Sequence, residues 1–404
     1  RSIPNLLWIF LEDVSPWMPL WGDNTVATPH IDALASRGET FTRTFSTAPV
    51  CSPSRSAMMT GRMQTTDGTH NHTDSRGRHQ AHLPSHVRTL PEIFRQNGYY
   101  TFNQGKDDYN FHYDRRQLYS WDKHANVLST RQPFFGQIQL KGGKNSRLPQ
   151  NPVSSDTVPI PPCYPEHPVI RDEIAKHYDC IQTTDEEIGE IVTDLKKNGL
   201  YEKTVIVIVG DHGMRMLRHK QFLYDGGIHV PLIISAPGEH PSVEPGNIRD
   251  ELVSGIDVSA TSLELCGIDP PPWMDGNDLF APDHTPRQHI IAARDRCDYT
   301  IDRIRCVRTG RYKYIRNFMP DRPYLQPQYR DRKASKGLAF TRVLKDLYAA
   351  GEMPGGQDPF YGPSRPEEEL YDLLQDPGEL HNLADNARYG DVLTELRDIL
   401  DGWI

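Results

Sequence analysis

The chain has 404 residues, a formal net charge of -9, 37% hydrophobic and 25% charged residues, and a mean hydropathy of -0.63. This length exceeds one compact core and predicts two packed units, while the acidic balance excludes a general nucleic-acid or membrane-binding surface. An anionic ligand therefore needs a local basic pocket.

No apolar run approaches the roughly 20 residues of a membrane-spanning helix. The N-terminus opens on a polar dipeptide and a strand pattern, with neither a charged leader region nor a cleavage signature. Six cysteines, Cys51, Cys163, Cys180, Cys266, Cys297 and Cys306, lack the density and spacing of a disulfide scaffold or a zinc site.

In chain order, residues 5–11 and 204–209 are unbroken apolar runs, the pattern of strands buried on both faces of a largely parallel sheet. Segments 99–103, 134–140 and 231–235 are further strands, and the helical patterns between them predict a doubly wound α/β layer. The clearest helix spans about 171–198, with Ile174, Tyr178, Ile181, Ile188, Ile191 and Leu195 on one face and Gly199 after it. Residues 141–168 are rich in proline, glycine and polar side chains and read as a long surface loop near the site. From about 286 the pattern changes to short alternating strands at 305–307 and 312–315, followed by a last amphipathic helix near 389–401. The predicted organisation is a catalytic α/β unit over 1–285 and a smaller antiparallel α+β unit over 286–404.

Each central strand ends in an acidic pair, Glu12-Asp13 and Asp211-His212. Ligands bind outside the carboxyl ends of strands in such sheets, and carboxylates meeting there suit Ca²⁺, which takes six to eight mainly oxygen ligands. Read singly, either pair is equally well a helix cap. Residues 51–55 read Cys-Ser-Pro-Ser-Arg, followed by Thr60-Gly61-Arg62. Pro53 suits a first helical turn, which puts Cys51 at a helix N-terminus, a natural anion site. A buried thiol or a thiolate nucleophile would also fit there.

This run resembles the signature of the type I sulfatases of the alkaline phosphatase superfamily. Collinear motifs extend the resemblance: Thr28-Pro29-His30-Ile31-Asp32, Gly210-Asp211-His212-Gly213, Leu223-Tyr224-Asp225-Gly226-Gly227, Glu369-Leu370-Tyr371-Asp372 and Asn382-Leu383-Ala384. It implies an alkaline-phosphatase-like fold, a large, mostly parallel mixed sheet sandwiched by helices with a small C-terminal α+β subdomain. It also implies that a maturation enzyme converts Cys51 to formylglycine. By the same resemblance Glu12, Asp13, Asp211, His212 and residue 51 hold Ca²⁺, Arg55 orients the nucleophile, and Lys106 and Lys220 supply cations.

Two family histidines are missing, with Asp108 in one position and Lys141 aligned with the other. His70, His72 and His219 are candidate replacements. The basic stretch containing His70, His72 and Arg76 also suits contact with an acidic sugar. The resemblance favours bacterial polysaccharide sulfatases and the heparan N-sulfatase group, hence a sulfated carbohydrate substrate and a periplasmic or secreted location. N-sulfate hydrolysis, phosphonate or phosphodiester hydrolysis, and inactive glycan binding remain alternatives. Nothing in the sequence fixes the oligomeric state.

Overall fold

The computed structural model describes residues 3–72, 81–120, 131–297, 300–324, 339–353 and 358–404. Seven strands form the main sheet: β1 (Asn5–Leu11), β2 (Gly38–Phe45), β3 (Tyr100–Gln104), β4 (Phe134–Leu140), β5 (Thr204–Gly210), β6 (His229–Ser235) and β7 (Asn247–Ser254). Their order is β3-β4-β1-β5-β6-β2-β7. Only β6 runs against the rest, antiparallel to both β5 and β2. The mixed, mostly parallel sheet of the sequence reading is therefore present, with β2 and β7 added at one edge.

Strand β1 is buried along its whole length. Leu7, Ile9 and Leu11 face one apolar layer with Ile174, Tyr178, Ile181 and Ile188. Leu6, Trp8 and Phe10 face the other with Met58, Met59, Phe94 and Leu263. Alternation by two thus feeds two cores from one strand. The long helix starts earlier than its periodicity suggests and spans Pro168–Lys197, because Pro168 fills the first helical position and the His167 side chain accepts from Val169 N. Residues 141–168 carry two short 3₁₀ turns, Gly142–Lys144 and Ser155–Thr157.

A second, antiparallel sheet of four strands has the order β11-β10-β9-β8. It comprises β8 (His289–Arg294), β9 (Ile304–Thr309), β10 (Tyr312–Asn317) and β11 (Glu368–Asp372). The final helix, Gly390–Trp403, lays Leu393, Leu396 and Leu400 on Val307, Tyr314 and Leu370. All six cysteines are buried free thiols. No helix among the described residues is long and apolar enough to cross a membrane.

Buried polar contacts tie the second sheet to the first. Glu369 accepts from Tyr224 Oη (2.9 Å), Tyr371 Oη (2.7 Å), Tyr324 Oη (2.5 Å) and Asn317 Nδ2 (2.8 Å). The fully buried Lys313 Nζ reaches Asp225 Oδ1 at 2.6 Å, Glu379 Oε1 at 2.9 Å and Leu223 O at 3.0 Å. Both networks grip residues 223–225, just beyond Lys220. Burial, helped by Asp225 and opposed by Lys313, pushes the Glu379 carboxyl up to about 7.

A carboxyl with a raised folded pKa loses its proton in the unfolded chain first. Its stabilising contribution is therefore present below the ordinary carboxylate value and fades as pH climbs toward 7. Urea unfolding at pH 5 and pH 7.5 should show a fall in stability with pH that is shallower in Glu379→Gln, and equal slopes in the two proteins would rule this out.

Candidate active site

Strand register assembles the site. Leu11 pairs with Gly210 of β5 and with Leu140 of β4, so residues 12–13, 141–144 and 211–212 emerge side by side at the carboxyl edge of the sheet, where α/β ligands bind. The helix Cys51–Thr60, buried at every position, aims its N-terminus at this edge. Pro53 costs nothing there because first-turn N–H groups lack intrahelical partners. Arg55 lies one turn after Cys51 and so shares its face.

Among the described residues, Asp13, Cys51, Asp211 and His212 offer donor atoms that all lie within 4.8 Å of one another, and all four are buried. Cys51 Sγ is 3.1 Å from His212 Nε2 and 3.4 Å from Lys220 Nζ. Asp211 Oδ1 accepts from Asp13 N at 3.1 Å and from His212 N at 3.0 Å. Asp211 Oδ2 receives Arg55 Nε and Nη2, each at 3.0 Å. Gln139 Oε1 takes Arg55 Nη1 at 2.5 Å, and Phe10 lies under the guanidinium. Asp13 has φ of 54°, a left-handed conformation rare outside glycine and common where a site dictates geometry.

The donor chemistry fits a hard cation: two fully buried carboxylates and an imidazole, plus an oxygen if residue 51 is oxidised. Glu12, expected among the ligands, borders this group of four. Its Oε1 is taken by Lys106 Nζ at 2.5 Å and Lys144 Nζ at 2.6 Å, and it lies 3.9 Å from Cys51 Sγ.

Electrostatics follow from this crowding. Burial works against charge on Asp13, yet Lys220, His212 and Lys144 hold its carboxyl well below the ordinary range. Burial is likewise overcome at Asp211, held down to about 2 by His212 and Arg55. At His212 burial is outweighed by Asp211, Cys51 and Asp13, which raise it to about 10. Burial raises the Cys51 thiol, but Lys220 and His212 more than compensate and its pKa falls. The site is a nest of anions balanced by Arg55 and three lysines.

Lys144 is the residue that strand counting missed. Lys141, aligned with the missing histidine, is exposed at the cap of the 3₁₀ turn. Gly142 and Gly143 then fold flat against β1's end: a Cβ on them would sit 2.1 Å from Glu12 O and 2.2 Å from Asp13 O respectively. Gly142 also has φ of 51°, and Gly143 N donates to Glu12 O at 2.8 Å. This turn delivers Lys144 Nζ to Glu12 and to Asp13 Oδ2, the latter at 3.4 Å. Gly-Gly before a basic residue was the available signal.

The candidate histidines separate. His72 lies with Nδ1 2.8 Å from Ser52 Oγ, next to Cys51, and its charge bears on Asp108. Asp108, with φ of 55°, is 3.0 Å from Lys106 Nζ and is depressed to about 2 because Lys106 overrides burial. His219 turns the other way. It stacks on Tyr164, takes a 2.6 Å contact from the Tyr164 hydroxyl, and burial lowers it to about 4. His70 is half-buried two positions before His72, and Arg76 lies outside the described residues. His177, not singled out by sequence, accepts from Ser15 N at 3.3 Å and is lowered by burial to about 3.

Comparison with known proteins adds ancestry. The Sulfatase family model matches residues 4–133 and 122–268. An ulvan-active sulfatase of Formosa agariphila is 33% identical over 99% of this chain and 74% of its own length. The human N-sulphoglucosamine sulphohydrolase is 25% identical over 99% of this chain and 89% of its own. The structure of a phosphonate monoester hydrolase of Agrobacterium radiobacter superposes with a TM-score of 0.71 at 19% identity, over 99% of this chain and 95% of that one, so the fold alone does not choose between sulfur and phosphorus. The family model and the 33% identical relative do: the chain belongs to the sulfatase family of sulfuric ester hydrolases.

Proposed function

We propose that this protein removes sulfate from a sulfated polysaccharide or its oligosaccharides, using a formylglycine formed at Cys51 by a maturation enzyme and a Ca²⁺ ion held by Asp13, Asp211, His212 and residue 51. The observation that carries this reading is the convergence of Cys51, two buried carboxylates and His212 at a helix N-terminus ringed by Arg55, Lys106, Lys144 and Lys220. The ulvan-active relative supports a polysaccharide substrate. The human relative supports N-sulfated glucosamine as the second reading.

Formylglycine supplies a hydrated aldehyde whose hydroxyl is the nucleophile toward sulfur. Calcium, when bound, supplies positive charge that favours the ionised hydroxyl and offsets the charge of the sulfate. The protein's own groups supply the rest. Arg55, locked by Asp211 and Gln139 on the same helical face as residue 51, adds positive charge beside it. Lys220, anchored on Asp13 at 2.9 Å, stands where a sulfate oxygen would lie beside Cys51. Lys106 and Lys144 flank Glu12 and widen the cationic rim, a preorganised field that needs no rearrangement during reaction. His72 is the histidine best placed to protonate the leaving alcohol, a role worth about 10²–10⁴-fold.

Peptide mass spectrometry of protein from a host with maturation machinery should find the Cys51 peptide about 18 Da lighter than its thiol form. An unmodified thiol there would remove the nucleophile. On the modified enzyme, Lys144→Ala should lower kcat on an aryl sulfate by roughly 10²-fold, and Lys141→Ala should cost much less. A larger loss from Lys141→Ala would take Lys144 out of the site.

A further inference from the structure

A cleft of about 390 Å³ opens beside the site, within the size range of small-molecule sites. Lys144 belongs to both: its Nζ contacts Glu12 and Asp13, and the residue lines the cleft. Cations dominate the lining, with Lys144, Arg147, Lys176 and Arg215 against Glu173 and Asp179, although the whole chain is acidic. Three of these cations are already engaged. Arg147 pairs with Glu186 and Glu190, Lys176 with Glu173, and Lys144 with Glu12. Arg215 is exposed and makes no ion pair among the described residues. It sits three residues after His212 on a segment whose neighbours Met214 and Met216 are buried, and Met214 N is fixed by Ser15 Oγ at 3.1 Å. A backbone anchored by its buried neighbours thus places Arg215, which makes no ion pair among the described residues, on the wall of a cleft beside Cys51.

We propose that this cleft binds the sugar residue next to the sulfated one, and that Arg215 selects an anionic group on it, a carboxylate or a second sulfate. The inference rests on the carbohydrate reading above. A planar guanidinium takes either group in two parallel hydrogen bonds, and Lys144 carries positive potential continuously from the cleft to the nucleophile. The sulfated residue would occupy the site at Cys51 while its neighbour lies over Lys144 against Arg215.

The test uses three disaccharides that differ only in the neighbouring residue: one with a uronate, one with a sulfate, one neutral. Titration calorimetry on the full chain, which needs no turnover, should show at least one charged disaccharide binding about tenfold tighter than the neutral one. Arg215→Ala should erase that difference and Arg215→Lys restore part of it. Equal behaviour of all three toward the unaltered protein, including no binding, would overturn the subsite, as would a uniform loss in Arg215→Ala. Turnover of a simple aryl sulfate, which does not reach the cleft, reports on the sulfatase reading separately.

Discussion

The alignment of two strand ends governs this molecule. Because β1 and β5 run parallel in a register that pairs Leu11 with Gly210, Asp13 and Asp211 are forced together where water is excluded. Buried like charges are tolerated only when cations or a metal compensate them. Arg55, Lys220 and His212 are placed to do so, and their positions explain why the Cys51 helix, the turn after His212 and the loop after β4 all converge on one point. The core beneath serves this arrangement by leaving β1 no freedom to shift: a slip of one residue would exchange its two apolar faces and separate the carboxylates.

Much of the site was legible because its parts lie at element boundaries. Apolar runs mark β1 and β5, and the residue after such a run is the residue at the sheet edge. The four-residue spacing of Cys51 and Arg55 becomes one helical face as soon as Pro53 marks a first turn. Lys144 was not legible in the same way, since counting from the end of β4 selects Lys141. Two glycines pressed on the β1 backbone move the effective position three residues on. Strands β2 and β7 also escaped the sequence reading, because Gly38–Phe45 and Asn247–Ser254 mix charged and apolar residues, with β7 at the sheet margin and β2 between it and β6.

The histidines show the limit of composition. Those at 70, 72 and 219 looked alike as candidates, and only tertiary packing separates them. His72 meets the hydroxyl of Ser52, next to Cys51, whereas His219 is drawn under Tyr164 and kept neutral by burial. Asp108, which the sequence resemblance sets where the family has a histidine, pairs with Lys106. Packing, not spacing along the chain, therefore decides which of these side chains stands near Cys51.

The hub at Glu369 gives the chain a vectorial character. Lys220 lies in the middle of the sequence, yet the segment just after it is clasped by side chains from residues 313 to 379, which leave the ribosome long after it. Those residues give Tyr224 and Asp225 their buried partners, while the turn carrying Lys220 is also held from the other side, by Lys220 N on Met214 O at 3.0 Å and Gln221 N on Pro49 O at 2.7 Å. The lysine that lies beside Cys51 is thus buttressed by residues far along the chain.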